Sequence, residues 1–194
     1  MLQPTVVWIH GANQSPLSFE YLKNRCSFEN EYFVSYSSSK SFYENFKNVT
    51  KEVEQFQSVF FVGHSLGGIY AIHLTEIVNT VGGVSISTPF GGSSTAEWAR
   101  YLVPTYPLFK DVGRRSLPIV NANKIKLEVP WTQIVSTTGS VPYHGSVNDG
   151  VVTIDSMTAR TDVEYVEVEH NHYEVVFSKK VANIINARYY QLTY

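Results

Sequence analysis

The sequence predicts an α/β fold: a mostly parallel sheet of about six strands with helices on both faces, a three-layer sandwich. Two observations carry this. Short apolar, β-branched runs recur along the chain, and longer stretches with apolar residues at three- and four-residue spacing lie between them. Strands alternating with amphipathic helices imply right-handed βαβ units, and strands apolar on both faces imply a sheet covered on both sides. A third observation points the same way: a Gly-x-Ser-x-Gly segment stands between one such strand and one such helix.

Residues 5–10, with Val6-Val7-Trp8-Ile9, read as the first buried strand. Residues 16–25 place Leu17, Tyr21 and Leu22 on one side of a helix, with Ser15 as N-cap and Pro16 at the first helical position. Residues 32–36 form the second strand. Phe42, Phe46, Val49, Val53 and Phe56 then mark an amphipathic helix. Residues 58–62 read as the third strand and 66–78 as its helix, carrying Ile69, Tyr70, Ile72, His73, Ile77 and Val78. Residues 81–87, 131–136 and 163–168 complete the strands. The last interleaves Val163, Tyr165, Val166 and Val168 with Glu164 and Glu167, which suits a place nearer a sheet edge. Val175, Val176, Val181, Ile184 and Ile185 make a final helical face.

No repeat, low-complexity tract or Pro/Gly/Ser linker divides the chain, so one domain over residues 1–194 is expected. The interval 88–130 is longer than a simple crossover needs. It contains Trp98, Tyr101, Leu102, Val103, Pro104, Tyr106, Pro107, Leu108 and Phe109. It reads either as extra core-covering helix or as an apolar cap over a binding site, with Trp98, Tyr101 and Phe109 as pocket-lining residues.

Composition narrows the function classes. At 43% hydrophobic and 14% aromatic the chain can bury a core. Fifteen Lys and Arg against seventeen Asp and Glu argue against a nucleic-acid partner. The single cysteine, Cys26, excludes an intrachain disulfide and a cysteine zinc cluster. No apolar run is long enough to cross a bilayer. Met1-Leu2-Gln3-Pro4 carries no basic stretch and the first lysine is Lys23, so a cytoplasmic protein is expected.

Chemistry enters with Gly63-His64-Ser65-Leu66-Gly67-Gly68. A serine between a strand and a helix sits on a strained turn that lifts its hydroxyl above the sheet, and glycines at 63 and 67 remove collisions with neighbouring backbone. The helix start leaves amides free to face developing negative charge. A second oxyanion donor is expected from the loop after an early strand. His10-Gly11-Ala12 supplies it, so the Leu66 and Ala12 amides form the expected oxyanion hole.

A serine hydroxyl needs a base, and the base needs a carboxylate to hold its tautomer. His170 and His172 follow the last strand, where catalytic groups of such sheets gather. His172, which leads into the final helix, is preferred; His144 is a lesser candidate, and His73 suits a core or surface role. The His-x-His pair also prompts a metal reading. No third His or Cys stands at ligand spacing, so no metal and no organic cofactor is expected. Asp149, in Asn148-Asp149-Gly150 after the fifth strand, is the expected acid. Asp155 and Asp162 are rivals, but Asp162 immediately precedes a strand and so lies at the wrong edge.

These segments resemble the α/β-hydrolases, and within them the small lipases and lipase-like acylhydrolases. The likeness includes His10-Gly11, the Gly-His-Ser-Leu-Gly-Gly elbow, Ser87-Thr88-Pro89-Phe90-Gly91-Gly92, Asp149-Gly150-Val151-Val152, and the run from His172-Tyr173-Glu174 to Val181. It implies a minimal α/β-hydrolase fold and a serine esterase or lipase acting on a small-molecule or lipid ester through Ser65, His172 and Asp149. The chain differs from secreted lipases in showing no export signal and no disulfide. The same fold hosts thioesterases, amidases, acyltransferases and silent binding proteins.

Overall fold

The computed structural model of the protein describes residues 3–93, 111–139 and 147–193. Strands β1 (Thr5–Ile9), β2 (Glu31–Val34), β3 (Val59–His64), β4 (Thr80–Ile86), β5 (Trp131–Ser136) and β6 (Glu164–Val168) join in one sheet. Their order is β2-β1-β3-β4-β5-β6, and every neighbouring pair is parallel. The chain leaves β1 toward β2 on one side and crosses back to β3 on the other. The crevice beyond the carboxyl ends of β1 and β3 is therefore the topological switch point, where open α/β sheets bind ligands.

Side-chain alternation divides the core in two. Val7 and Ile9 of β1 and Val59 and Phe61 of β3 enter one layer. It is covered by α2 (Phe42–Val53), α3 (Leu66–Leu74) and α4 (Leu117–Ala122), through Val49, Val53, Ile69, Tyr70, Ile72 and Ile119. Val6, Trp8, Phe60 and Val62 enter the other layer, under α1 (Glu20–Lys23) and α6 (Lys179–Thr193), through Leu22, Val181, Ala182, Ile185 and Tyr189. The short α5 (Ile154–Met157) packs Met157 beside Val135 at the β5 side. The three-layer α/β architecture is as expected, including β6 at an edge with Glu164 exposed.

The local surprises have local causes. The helix expected over 16–25 is a 3-10 turn, Pro16–Phe19, followed by the single turn of α1; Ser15 makes no side-chain cap. Helix α2 begins with a capping box absent from the sequence reading: Ser41 Oγ accepts from Glu44 N–H, and Glu44 accepts from Ser41 N–H. The final helical face is split. Val175 and Val176 belong to a 3-10 turn, Glu174–Phe177, and Ser178 is extended before α6 begins. Ser178 caps α6, its hydroxyl oxygen accepting the Val181 N–H, and the same oxygen lies 2.9 Å from His170 Nε2. Among the described residues no helix is long and apolar enough to cross a membrane.

Candidate active site

Ser65 occupies the single residue between β3 and α3, with φ 53° and ψ −121°. A non-glycine residue held there costs on the order of 1–3 kcal/mol, so the surrounding packing must impose it. The Ser65 N–H donates to Ile86 O at 2.8 Å, anchoring the turn to the end of β4. A Cβ on Gly67 would run into the carbonyls of Ile9 and His10. Only glycine lets α3 start this close to the end of β1, which brings the elbow against the His10-Gly11-Ala12 loop.

His172 Nε2 lies 3.0 Å from Ser65 Oγ, and its Nδ1 lies 2.7 Å from Asp149 Oδ2. Facing a carboxylate, Nδ1 carries the proton, which leaves the Nε2 lone pair to accept from the Ser65 hydroxyl. Asp149 is fully buried and His172 nearly so. Burial pushes the Asp149 carboxyl up; hydrogen bonds from His172, Ser136 and the Val152 amide, with the His172 charge, outweigh it and hold the group below its ordinary value. The carboxylate is ionised. Its Oδ1 accepts from the Val151 and Val152 amides at 3.0 and 2.7 Å, and its Oδ2 also accepts from Ser136 Oγ at 2.5 Å. The two loops are tied directly, since the His172 N–H donates to Asp149 O at 2.9 Å.

The competing residues stand elsewhere. His170 is engaged with Ser178. Asp162 pairs with Arg160 at 2.7 Å and accepts from the Leu127 amide, at the amino end of β6. Asp155 lies in the first turn of α5. His73 is within 2.9 Å of Pro118 O, a contact between α3 and α4. His144, Trp98, Tyr101 and Phe109 lie outside the described residues.

The loop after β1 is held by hydrogen bonds to Gly11. Gly11 O accepts from His10 Nδ1 at 2.7 Å and from the Gln14 N–H at 3.3 Å. In a trans peptide the N–H opposes the C=O, so the Ala12 N–H points away from those donors. The loop lies against the elbow: a Cβ on Gly11 would stand 3.2 Å from Ser65 Cβ. Neither the Ala12 nor the Leu66 amide has a hydrogen-bond partner among the described residues, and Leu66 opens α3, where helical amides have no intrahelical acceptor.

His10 and His64 support this arrangement. Burial lowers the His10 pKa against a hydrogen bond to Gly11 that raises it, and the ring stacks on Tyr36 at 4.3 Å. Burial, then the charge of His172, push His64 down to about 3. Its Nε2 faces His172 O at 3.0 Å and its Nδ1 faces Gln14 Oε1 at 2.9 Å. Gln14 Oε1 also accepts the Gly11 N–H at 3.0 Å. A neutral ring donates to one of these two acceptors, so His64 links either the His172 loop or the loop after β1 to the β3–α3 turn.

No family model and no curated protein matches the chain by sequence. Solved structures match it over nearly its whole length. A lipase-esterase related protein from Clostridium acetobutylicum superposes with a TM-score of 0.65 at 14% identity, covering 97% of this chain and 94% of that one. A Bacillus licheniformis lipase in its mature form gives 0.68 at 15% identity, covering 96% and 92%. Tomato methylketone synthase I, complexed with 2-tridecanone, gives 0.65 at 13%, covering 99% and 100%. The fold is that of the α/β-hydrolases. At these identities the likeness is one of fold, and chemistry must be argued from the side chains.

Within this α/β-hydrolase fold, Ser65, His172 and Asp149 follow β3, β6 and β5, all at the carboxyl edge of the sheet. A cavity of about 300 Å³ lined by Gly83, Trp131, Glu164 and Arg188 opens at the opposite edge and contains none of them. The three hydrogen-bonded side chains meet at the carboxyl edge instead. Three neighbouring residues were not singled out from sequence: Gln14, whose Oε1 accepts the Gly11 N–H and stands 2.9 Å from His64 Nδ1, and Ser136 and Ser87, which stand behind Asp149. Ser87 does fall in the Ser87-Thr88-Pro89-Phe90 segment noted above for its resemblance.

Proposed function

We propose that the protein is a serine acyl hydrolase that cleaves carboxylic esters. The observation that carries this reading is the hydrogen-bonded line from Ser65 Oγ through His172 to an ionised, buried Asp149. Ser65 attacks the ester carbonyl while His172 Nε2 takes its proton. Asp149 orients the ring and stabilises its cationic form, and the Ala12 and Leu66 amides receive the oxyanion. Collapse of the tetrahedral intermediate expels the alcohol, which takes the proton from His172 Nε2. A water then attacks the acyl-enzyme by the same route, and the acid is released. Side chains, backbone amides and water suffice for every step.

The interval 88–130 is proposed to supply the acyl or alcohol pocket, with Trp98, Tyr101 and Phe109 as lining residues. Its described part is rooted in the core: Ile119 and Ala122 of α4 are buried, and Asp111 accepts the Phe42 N–H at 2.8 Å. A rise in turnover when ester substrate forms an interface would support a cap; simple saturation would argue against one.

The test is a substrate panel of short- and long-chain p-nitrophenyl esters, acyl-CoA thioesters and anilides, run with wild type and Ser65→Ala. Ester turnover that disappears in Ser65→Ala is expected. Preferential thioester or anilide turnover would move the protein to another acyl-transfer class with the same machinery. Ester hydrolysis undiminished in Ser65→Ala would overturn the serine mechanism.

A further inference from the structure

Asp149 has no contact with solvent, and what surrounds its carboxylate fixes where the hydrogens lie. An ionised carboxylate only accepts, so Ser136, 2.5 Å from Oδ2, gives it its one hydroxyl hydrogen. The other nearby acceptor, Met157 Sδ at 3.7 Å, is a weak one. Ser136 Oγ also lies 2.6 Å from Ser87 Oγ. With its own hydrogen committed, Ser136 can only accept there, and Ser87 must donate. The sense is set throughout: Ser87 to Ser136, Ser136 to Asp149.

Ser87 carries a second, independent sign. It is fully buried, and its φ of 51° lies in the left-handed region that favours glycine. Its N–H continues the sheet pattern to Ile134 O at 2.9 Å, so the strand end is already hydrogen-bonded without the side chain. A buried hydroxyl on strained backbone that, among the described residues, reaches only another buried hydroxyl is not what strand pairing requires.

We propose that Ser136 and Ser87 form a two-hydroxyl relay that positions the Asp149 carboxylate for acyl transfer. The relay rests on the Ser65, His172 and Asp149 reading given above. Ser136 and Ser87 touch no reacting atom; they are positioning residues. The relay acts in two ways. With the Val151 and Val152 amides on Oδ1 and Ser136 on Oδ2, the carboxylate plane is fixed, and the remaining Oδ2 lone pair is aimed at His172 Nδ1. Each donor also draws charge from the carboxylate and so moderates its hold on the protonated ring, which must give its proton to the leaving alcohol. Ser87 strengthens the Ser136 donor by polarising it.

Among the described residues, the titratable groups facing His172 are few. They are Asp149 from the loop after β5, His64 from β3 at 5.0 Å between ring centroids, and Tyr173 beside it at 5.4 Å. His64 is held neutral by burial, and the charge of His10 bears on His64. Asp149 is therefore the charge that governs the ring, and its donors govern Asp149.

The experiment is the pH dependence of kcat/KM for ester hydrolysis by wild type, Ser136→Ala, Ser87→Ala and the double variant. With one donor removed, the carboxylate holds the protonated ring more tightly. The acid limb of the Ser136→Ala profile is expected to move up by about half a pH unit, a threefold change in the protonation equilibrium. A fall in kcat of about tenfold is expected with it, from looser positioning. Ser87→Ala moves the limb the same way but less. Because Ser87 acts only through Ser136, adding Ser87→Ala to Ser136→Ala changes nothing further. Ser136→Thr, which keeps a hydroxyl, keeps the wild-type limb; with Ser87→Ala it carries the test should Ser136→Ala not fold.

Unmoved limbs with activity lowered at every pH would overturn the relay and leave a packing role only. Additive effects in the double variant would overturn it as well. Phosphonylation of wild-type Ser65 by a fluorophosphonate separates the two readings. If Ser65 is labelled and the limbs coincide, the relay alone fails; if Ser65 is inert, the active-site reading beneath it fails.

Discussion

Replacing Asp149 with asparagine changes one atom, and the structure determines which way the new amide turns. Oδ1 accepts from the Val151 and Val152 amides, both fixed in the backbone. An NH₂ group placed there would leave buried donors unpaired, at about 1–3 kcal/mol each. The amide oxygen of Asp149→Asn therefore takes that side, and its NH₂ occupies the place of Oδ2, 2.7 Å from His172 Nδ1. The ring must then accept at Nδ1 and carry its hydrogen on Nε2, the nitrogen facing Ser65 3.0 Å away. Ser65 meets a donor where it needs a base. The corresponding change in a Ser-His-Asp protease lowers kcat by about 10⁴, equivalent to about 5 kcal/mol of barrier. A loss of about 10³ to 10⁴ in kcat for p-nitrophenyl butyrate is expected at neutral pH, with the folded state retained by circular dichroism. A variant within about threefold of wild type, under ~1 kcal/mol of barrier, would refute the tautomer argument.

Other perturbations test other parts of the account. His172→Ala is expected to lower kcat by about 10⁴ or more. Under the same ester assay, His170→Ala should stay within about tenfold of wild type while losing roughly 1 kcal/mol of stability with the Ser178 contact; equal losses in activity would undo the assignment of the base. Gly67→Ala drives a Cβ into the Ile9 and His10 carbonyls, so a destabilisation of about 3 kcal/mol or more is expected in urea melts, and wild-type stability would contradict the elbow packing. His64 is held neutral down to about 3 while the unfolded chain protonates near 6.5, so its stabilisation is full above the unfolded value and falls as pH drops below it. Between pH 6.5 and 5 its share is about 2 kcal/mol. Urea unfolding of wild type should weaken over that interval by more than that of His64→Asn, and parallel curves would contradict the buried neutral ring.

The sheet was legible because a strand buried on both faces leaves a run such as Val6-Val7-Trp8-Ile9, and a helix over it leaves a stripe such as Phe42, Phe46, Val49 and Val53. Ser65 was legible because its turn needs glycines that periodicity alone would not place. The histidine was harder. His170 and His172 are two residues apart after the same strand; the sequence favoured His172 for its place before the final helix, and the contacts, Ser178 for one and Ser65 for the other, lie in tertiary structure. The Asp149 environment was half legible: an Asn-Asp-Gly turn is visible, but the donation of two following amides to its own carboxylate is not. Ser87, Ser136 and Gln14 left no sequence signal of their contacts. Ser87 and Ser136 meet across 49 residues, and Gln14 and His64 across 50. A hydroxyl or an amide at a strand end or in a loop has the same periodicity whether it faces water or a carboxylate. The break between Val176 and Val181 falls at Ser178, an extended residue whose hydroxyl accepts the Val181 N–H and so caps the start of α6.

The central claim is that Ser65 is the nucleophile of an assembled triad, and its direct measurement is active-site phosphonylation. Wild type treated with a fluorophosphonate is expected to gain one adduct by intact mass, mapped by peptide sequencing to Ser65, with ester turnover lost in proportion. Ser65→Ala should gain none. An unlabelled wild type, or an adduct on another residue that leaves ester turnover intact, would contradict it.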